Sequence, residues 1–197
     1  MIAGGELLTG NMMAVSLARL RGRISTLLLI RNMVLVTLTN FAGALFVVYF
    51  FGHVLGLTGE GIYLDQVVDM AGHKLEDSFL QAFISAIGCN WLVALAVWLS
   101  YAADTMSGKL LGIWIPTAAF VAIGFQHVVA NMFLIPAAIF EGHYSWSMYL
   151  ANYIPVWLGT GGAVFVAGAY YLAYLHEQPQ GRSLAEGAKD HTKIRHV

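Results

Sequence analysis

The sequence predicts an all-α membrane protein, and three observations carry that prediction. The chain has 197 residues, 58% of them hydrophobic and only 11% charged, where soluble domains hold about 25% charged residues. Its charges are clustered. Asn32–Gly59, Ser78–Ala103, Leu110–Phe140 and Gly142–His176 contain no Lys, Arg, Asp or Glu. A helix crosses the roughly 30 Å hydrocarbon core with about 20 apolar residues, so each stretch is long enough to span. The 21 glycines suit closely packed membrane helices.

Composition also removes several function classes. Ten basic residues against eleven acidic ones leave a net charge of −1, without the basic footprint of a nucleic-acid partner. A single cysteine, Cys89, excludes an intrachain disulfide framework and a multi-cysteine metal site. No metal or other cofactor is expected. The opening MIAGGELLTG lacks the basic region and apolar stretch of a signal peptide.

In chain order, a transmembrane region is expected over 1–176. It comprises a partial span at 4–18, spans at 24–57 and 78–103, a broken span at 109–140 and a last span at 146–176. A polar tail follows at 177–197. Arg19, Arg21 and Arg23 precede the first full span, and the tail holds Arg182, Lys189, Lys193 and Arg195. The Gly59–Asp77 connection carries five acids against Lys74 alone. Lys and Arg favour the cytoplasmic side, so the arginine turn and the tail are read as cytoplasmic and the acidic loop as external. Four intervening spans fit that parity.

The break at 109–140 follows from length and polarity. Leu110–Phe140 is 31 residues, about 46 Å as a straight helix, more than one crossing requires. Its middle reads Ile123-Gly124-Phe125-Gln126-His127, a glycine and two polar residues at membrane depth. Unwound backbone at that depth is tolerated where it lines a cavity or lies buried in protein. The competing reading is one long, tilted, glycine-kinked helix.

Internal echoes favour the break. Asn11-Met12-Met13 returns as Asn131-Met132-Phe133 at an offset of 120, and Gly43–Val47 returns as Gly162–Val166 at 119. A duplicated unit with an odd number of helices gives inverted copies. At that offset the first copy lacks counterparts for 78–103 and for the half-helix beginning at Leu110, so an N-terminally incomplete repeat is expected.

GGELLTGNMM at 4–13, IGCNWLVALAVWLSYAA at 87–103, GKLLGIWIPTAAFVAIGFQHVVANMFLIP at 108–136 and NYIPVWLGTGGAVF at 152–165 together resemble the formate/nitrite transporter family, in order and spacing, over Gly4–Leu175. The resemblance implies an aquaporin-like helical bundle built as an inverted repeat with broken helices. It further implies a homopentamer with a pore in each protomer, and a chain that begins within the family's second span.

Matched position by position, the resemblance places Leu7, Leu8 and Thr9 in the loop that interrupts the second span. Leu7, Leu8 and Phe120 then form the constriction, while His127, Asn131, Thr9 and Lys109 lie on the substrate pathway. Lys109 matches a lysine thought to attract anions. Two departures stand out: Gln126 occupies a position where many relatives carry Glu, and Thr160 one where many carry Asn.

Physical arguments run alongside. An anion entering hydrocarbon suffers a large desolvation cost, which a proton would remove. Histidine is the side chain best able to exchange one near neutral pH, and intramembrane ionisable groups mark functional sites. Against this, His127 could be a packing residue, Lys109 an interfacial anchor that snorkels, and Leu8 and Phe120 ordinary core. A haem carrier would need facing histidines, a water channel its paired Asn-Pro-Ala loops, and a hydrolase a nucleophile with a base or a metal cluster. None of these patterns occurs, and no enzyme is expected. The expected partners are small monovalent anions, protons and the lipid bilayer, in a cell inner membrane. By resemblance formate stands first; nitrite, hydrosulfide, acetate, lactate and an inactive structural subunit remain open.

Overall fold

The computed structural model describes residues 5–175; the tail at 177–197 lies outside them. Among the described residues every regular element is a helix: α1 (Leu8–Leu20), α2 (Thr26–Val47), α3 (Gly61–Glu76), α4 (Phe79–Ala102), α5 (Met106–Ile123), α6 (Val128–Phe140), α7 (Trp146–Thr160) and α8 (Ala163–Tyr170). α2 and α8 run on as π-helical turns at Val48–Val54 and Tyr171–Leu175. Four helical segments are long and apolar enough to cross a membrane: Thr26–Val54, Phe79–Ala102, Met106–Ile123 and Trp146–Ala173.

The starts of these helices are written in the sequence as hydroxyl side chains. Ser25, Thr105 and Ser145 accept from the backbone N–H three residues on, satisfying a donor that the first turn leaves without a helical partner. Ser78 and Gln81 form a reciprocal capping box at the head of α4, satisfying two such donors at once.

α5 and α6 are separate helices joined by Gly124–His127, so the long-helix alternative is excluded. Gly124 ends α5 at φ +81°, a left-handed conformation that costs a residue with a Cβ roughly 1–2 kcal/mol. α1 and α6 are both 13 residues long and begin 120 positions apart, the offset of the sequence echo. Leu7 is the N-cap of one and His127 of the other.

Two features depart from the sequence reading. The acidic connection 59–77 is mostly a helix, α3, that packs on α6 and α7. The last span, Trp146–Ala173, contains a tight turn at Gly161-Gly162, both in right-handed helical conformation, between α7 and α8. The small-residue run there faces inward. A Cβ on Gly159 would overlap the Phe83 carbonyl and the Ala86 methyl, and one on Gly162 would meet Ile87. This run therefore lets α7 approach α4 within the chain.

The core joins α1 to the second half of the chain. Leu8, Met12 and Met13 pack with Val128, Met132 and Val156. By contrast α2 buries only Met33 and Val36 and exposes Leu27, Leu38 and Phe46, as a helix bounded by lipid or another apolar surface must.

Candidate functional site: the break between α5 and α6

Four residues of non-helical backbone between two apolar helices need polar partners, because apolar surroundings offer none. The fold supplies them from elements distant in sequence. Phe125 N–H donates to Phe120 O at 3.1 Å, and Gln126 N–H to Ser85 Oγ at 2.9 Å. The Lys74 ammonium donates to Gly124 O at 2.6 Å and to Phe125 O at 2.8 Å. That places a positive charge against the carboxyl end of α5, where the helix dipole is negative. Burial lowers the Lys74 pKa, an effect that the nearby Cys89 and Asp77 oppose.

Gln126 is buried and its amide is fully engaged. Its Nε2 donates to Asp77 Oδ2 at 2.7 Å and Lys74 O at 2.9 Å. Its Oε1 accepts from Asn131 Nδ2 at 2.7 Å. Asn131 Nδ2 also donates to Asn152 Oδ1 at 2.9 Å, and Asn152 Nδ2 to Lys74 O at 2.7 Å. A neutral amide thus stands at position 126, and the carboxylate of the cluster is that of Asp77.

His127 caps α6 with its own side chain: Nδ1 accepts from Ala130 N–H at 3.0 Å. A ring nitrogen that accepts carries no proton, so the imidazole is the Nε2–H tautomer, and Nε2 is the nitrogen left for another partner. One face of the ring stacks on Phe120, with centroids 5.1 Å apart and planes 9° from parallel.

His127 and Phe120 line a cleft of about 730 Å³ together with Leu7, Thr117, Val129 and Ala130. Its wall is apolar apart from few groups. Leu8 and Thr9 are wholly buried at the start of α1 and are not among the residues that line the cleft. Thr9 Oγ1 and Asn131 Oδ1 are buried without a hydrogen-bond partner. The structure therefore brings His127, Phe120 and Leu7 to one cleft, with Asn131 one turn into α6. Lys109 is elsewhere: it sits half-buried in the first turn of α5, about 22 Å along that helix from Gly124 at 1.5 Å per residue.

The sequence reading missed Lys74, Asp77 and Asn152. Lys74 stood out only as the lone base in an acidic connection, and Asp77 and Asn152 carried no local signal. Thr160, the second departure from the family pattern, accepts from Asn90 Nδ2 at 3.3 Å, which joins α7 to α4.

Several spans around a discontinuous helix, with a histidine-lined cleft at the discontinuity, define a multi-pass membrane transport protein. The formate/nitrite transporter family profile matches residues 1–172, and the chain belongs to that family. It is 55% identical over 183 residues to the uncharacterized transporter YrhG of Bacillus subtilis, covering 92% of this chain and 68% of that protein. It is 53% identical over 175 residues to the formate channel BtFdhC of Bacillus thuringiensis, covering 88% and 67%. Among solved structures, an FNT family ion channel superposes with TM-score 0.81 at 31% identity, covering 88% of this chain and 71% of the other. A pentameric formate channel with formate bound superposes with TM-score 0.71 at 32% identity, covering 88% and 77%.

Proposed function

We propose that the protein passes small monovalent anions, formate first, across the membrane through the cleft at the α5–α6 break. The observation that carries this reading is that Leu7 and His127, the N-caps of the two 13-residue half-helices, line the same cleft. Helix N-termini are the positive ends of their dipoles and offer unpaired N–H groups. Two of them at one apolar cleft favour an anion that has shed its water. Leu7, Leu8 and Phe120 narrow the path, while Thr9 and Asn131 offer polar atoms along it. His127 donates a hydrogen bond to the anion from Nε2–H. When Nδ1 takes a proton from solution, giving up its bond from Ala130 N–H, the imidazolium passes its Nε2 proton to the anion directly or through water and is left neutral. Neutralising the anion in this way removes most of its desolvation cost. Lys109 raises the local anion concentration at one mouth.

Relatives named as formate channels support formate as the anion, and the pentameric one supports five copies with a pore in each. The basic residues flanking the first full span support an inner-membrane orientation with the C-terminus cytoplasmic. On this reading the site binds and releases its anion without chemical conversion, as a conduit and not an enzyme.

The test is formate uptake into liposomes carrying the protein, against protein-free liposomes of the same lipid. Faster, saturable or pH-dependent uptake supports the reading. Uptake equal to the protein-free control contradicts it.

A further inference from the structure

Asn40 lies in the middle of α2, a helix whose surface is otherwise apolar over most of its length. An amide in such a position is costly unless its donor and acceptor are both used. Both are used by a single short segment. Asn40 Oδ1 accepts from Leu8 N–H at 3.0 Å, and Asn40 Nδ2 donates to Glu6 O at 3.1 Å. The carboxamide therefore grips the backbone on either side of Leu7, from 32 and 34 residues away.

Leu7 is the residue so enclosed. It is the N-cap of α1 in extended conformation (φ −118°, ψ 130°) and offers no capping side chain. Leu8 N–H, one of the donors a helix start leaves open, finds its acceptor on α2 instead. A second tether holds the same strand of chain: Asn11 Nδ2 donates to Glu6 Oε2 at 2.8 Å and to Asn32 Oδ1 at 3.1 Å. Leu7 itself lines the cleft with Phe120 and His127.

We infer that Asn40 is a positioning residue for the constriction: its carboxamide clamps Glu6 and Leu8 and so holds Leu7 at a set distance across the cleft from Phe120. The inference rests on the anion-passage reading for its consequence, but the clamp is a property of the fold. Without it Glu6 O and Leu8 N–H lose their partner on α2. The Asn11 side chain still holds the Glu6 carboxylate and Asn11 N–H still holds Leu7 O at 2.9 Å, so Leu7 is then positioned from α1 and no longer from α2. A looser Leu7 changes which anions fit more than how a small one binds.

Two measurements on the intact protein in nanodiscs and liposomes decide it. Hydrogen exchange of the Leu8 amide should rise at least tenfold in Asn40→Ala. Asn40→Asp, which keeps the acceptor for Leu8 N–H, should stay within threefold of wild type. In liposomes the ratio of lactate to formate flux should change at least threefold in Asn40→Ala and return towards wild type in Asn40→Asp. Should Asn40→Ala not assemble, Asn40→Ser, whose hydroxyl cannot reach both partners, is held to the same criteria. Unchanged Leu8 exchange, or an unchanged flux ratio in a protein that conducts formate, overturns the inference. If wild type passes no formate at all, the exchange result still decides the clamp, and the anion reading falls alone.

Discussion

Phe120 and His127 face each other as stacked rings 5.1 Å apart, one near the end of α5 and the other heading α6. The stack spans the break in the helix, so an apolar ring and an ionisable ring act as one wall of the cleft. Phe120→Ala removes that wall and a contact worth about 0.5–1.5 kcal/mol beyond burial. The expected outcome is faster passage of bulky monocarboxylates such as lactate, with the imidazole less tightly held. Liposome flux of formate and lactate measures it; unchanged selectivity would mean that Phe120 does not bound the path.

Lys74 anchors the break from outside the spans. Lys74→Ala leaves the carbonyls of Gly124 and Phe125 without their charged donor, a loss of about 1.5–3 kcal/mol for hydrogen bonds to a charged group. Thermal unfolding in detergent should show a lower midpoint for Lys74→Ala, with Lys74→Arg intermediate. A midpoint equal to wild type would show that water replaces the ammonium at no cost.

Gly159 fixes the approach of α7 to α4. The Phe83 carbonyl and the Ala86 methyl occupy the space of any added side chain, and both are backbone or backbone-near atoms that cannot rotate away. Gly159→Val should destabilise by about 1–3 kcal/mol or more, as overpacking does, while Gly168→Ala, with open space around it, should cost little. Paired unfolding midpoints give the comparison.

If Lys109 gathers anions, Lys109→Ala should slow uptake most at low ionic strength, where the Debye length is about 30 Å at 0.01 M. Lys109→Arg should keep most of the effect. Equal flux for wild type and Lys109→Ala at every salt concentration would leave Lys109 an interfacial anchor.

Much of the architecture was legible because lipid imposes it. Charge-free stretches of membrane length announce spans, and a Gly-Phe-Gln-His sequence inside one announces a break. The equal lengths of α1 and α6 show that the 120-residue echo was structural. α3 is hard to read as a helix in the sequence because its acids and Lys74 serve equally as topology signals, and it buries only Val67 and Ala71, too few for a clear apolar stripe. The tight turn at Gly161-Gly162 within the last span leaves no mark in an unbroken apolar stretch. The amide cluster around Gln126 was beyond reach for another reason. Its partners Lys74, Asp77 and Asn152 lie 26 to 52 positions from Gln126, and only the packing of α3 and α7 on the break joins them. Gln126 stands out in the sequence as an amide where many relatives carry a carboxylate; the Asp77 carboxylate that completes the cluster is brought to it only in three dimensions.

The central claim is that His127 couples anion passage to a proton, and the pH profile of formate uptake tests it most directly. If His127 exchanges a proton during passage, wild-type uptake in liposomes should vary with pH over a range in which the protein stays folded. His127→Asn keeps a short polar side chain able to cap α6 but cannot become cationic, so its uptake should be flat over that range. His127→Phe loses the cap and the polar contact together and should conduct least, with protein amount and oligomeric state matched throughout. A His127→Asn protein that retains the wild-type pH profile would contradict the account.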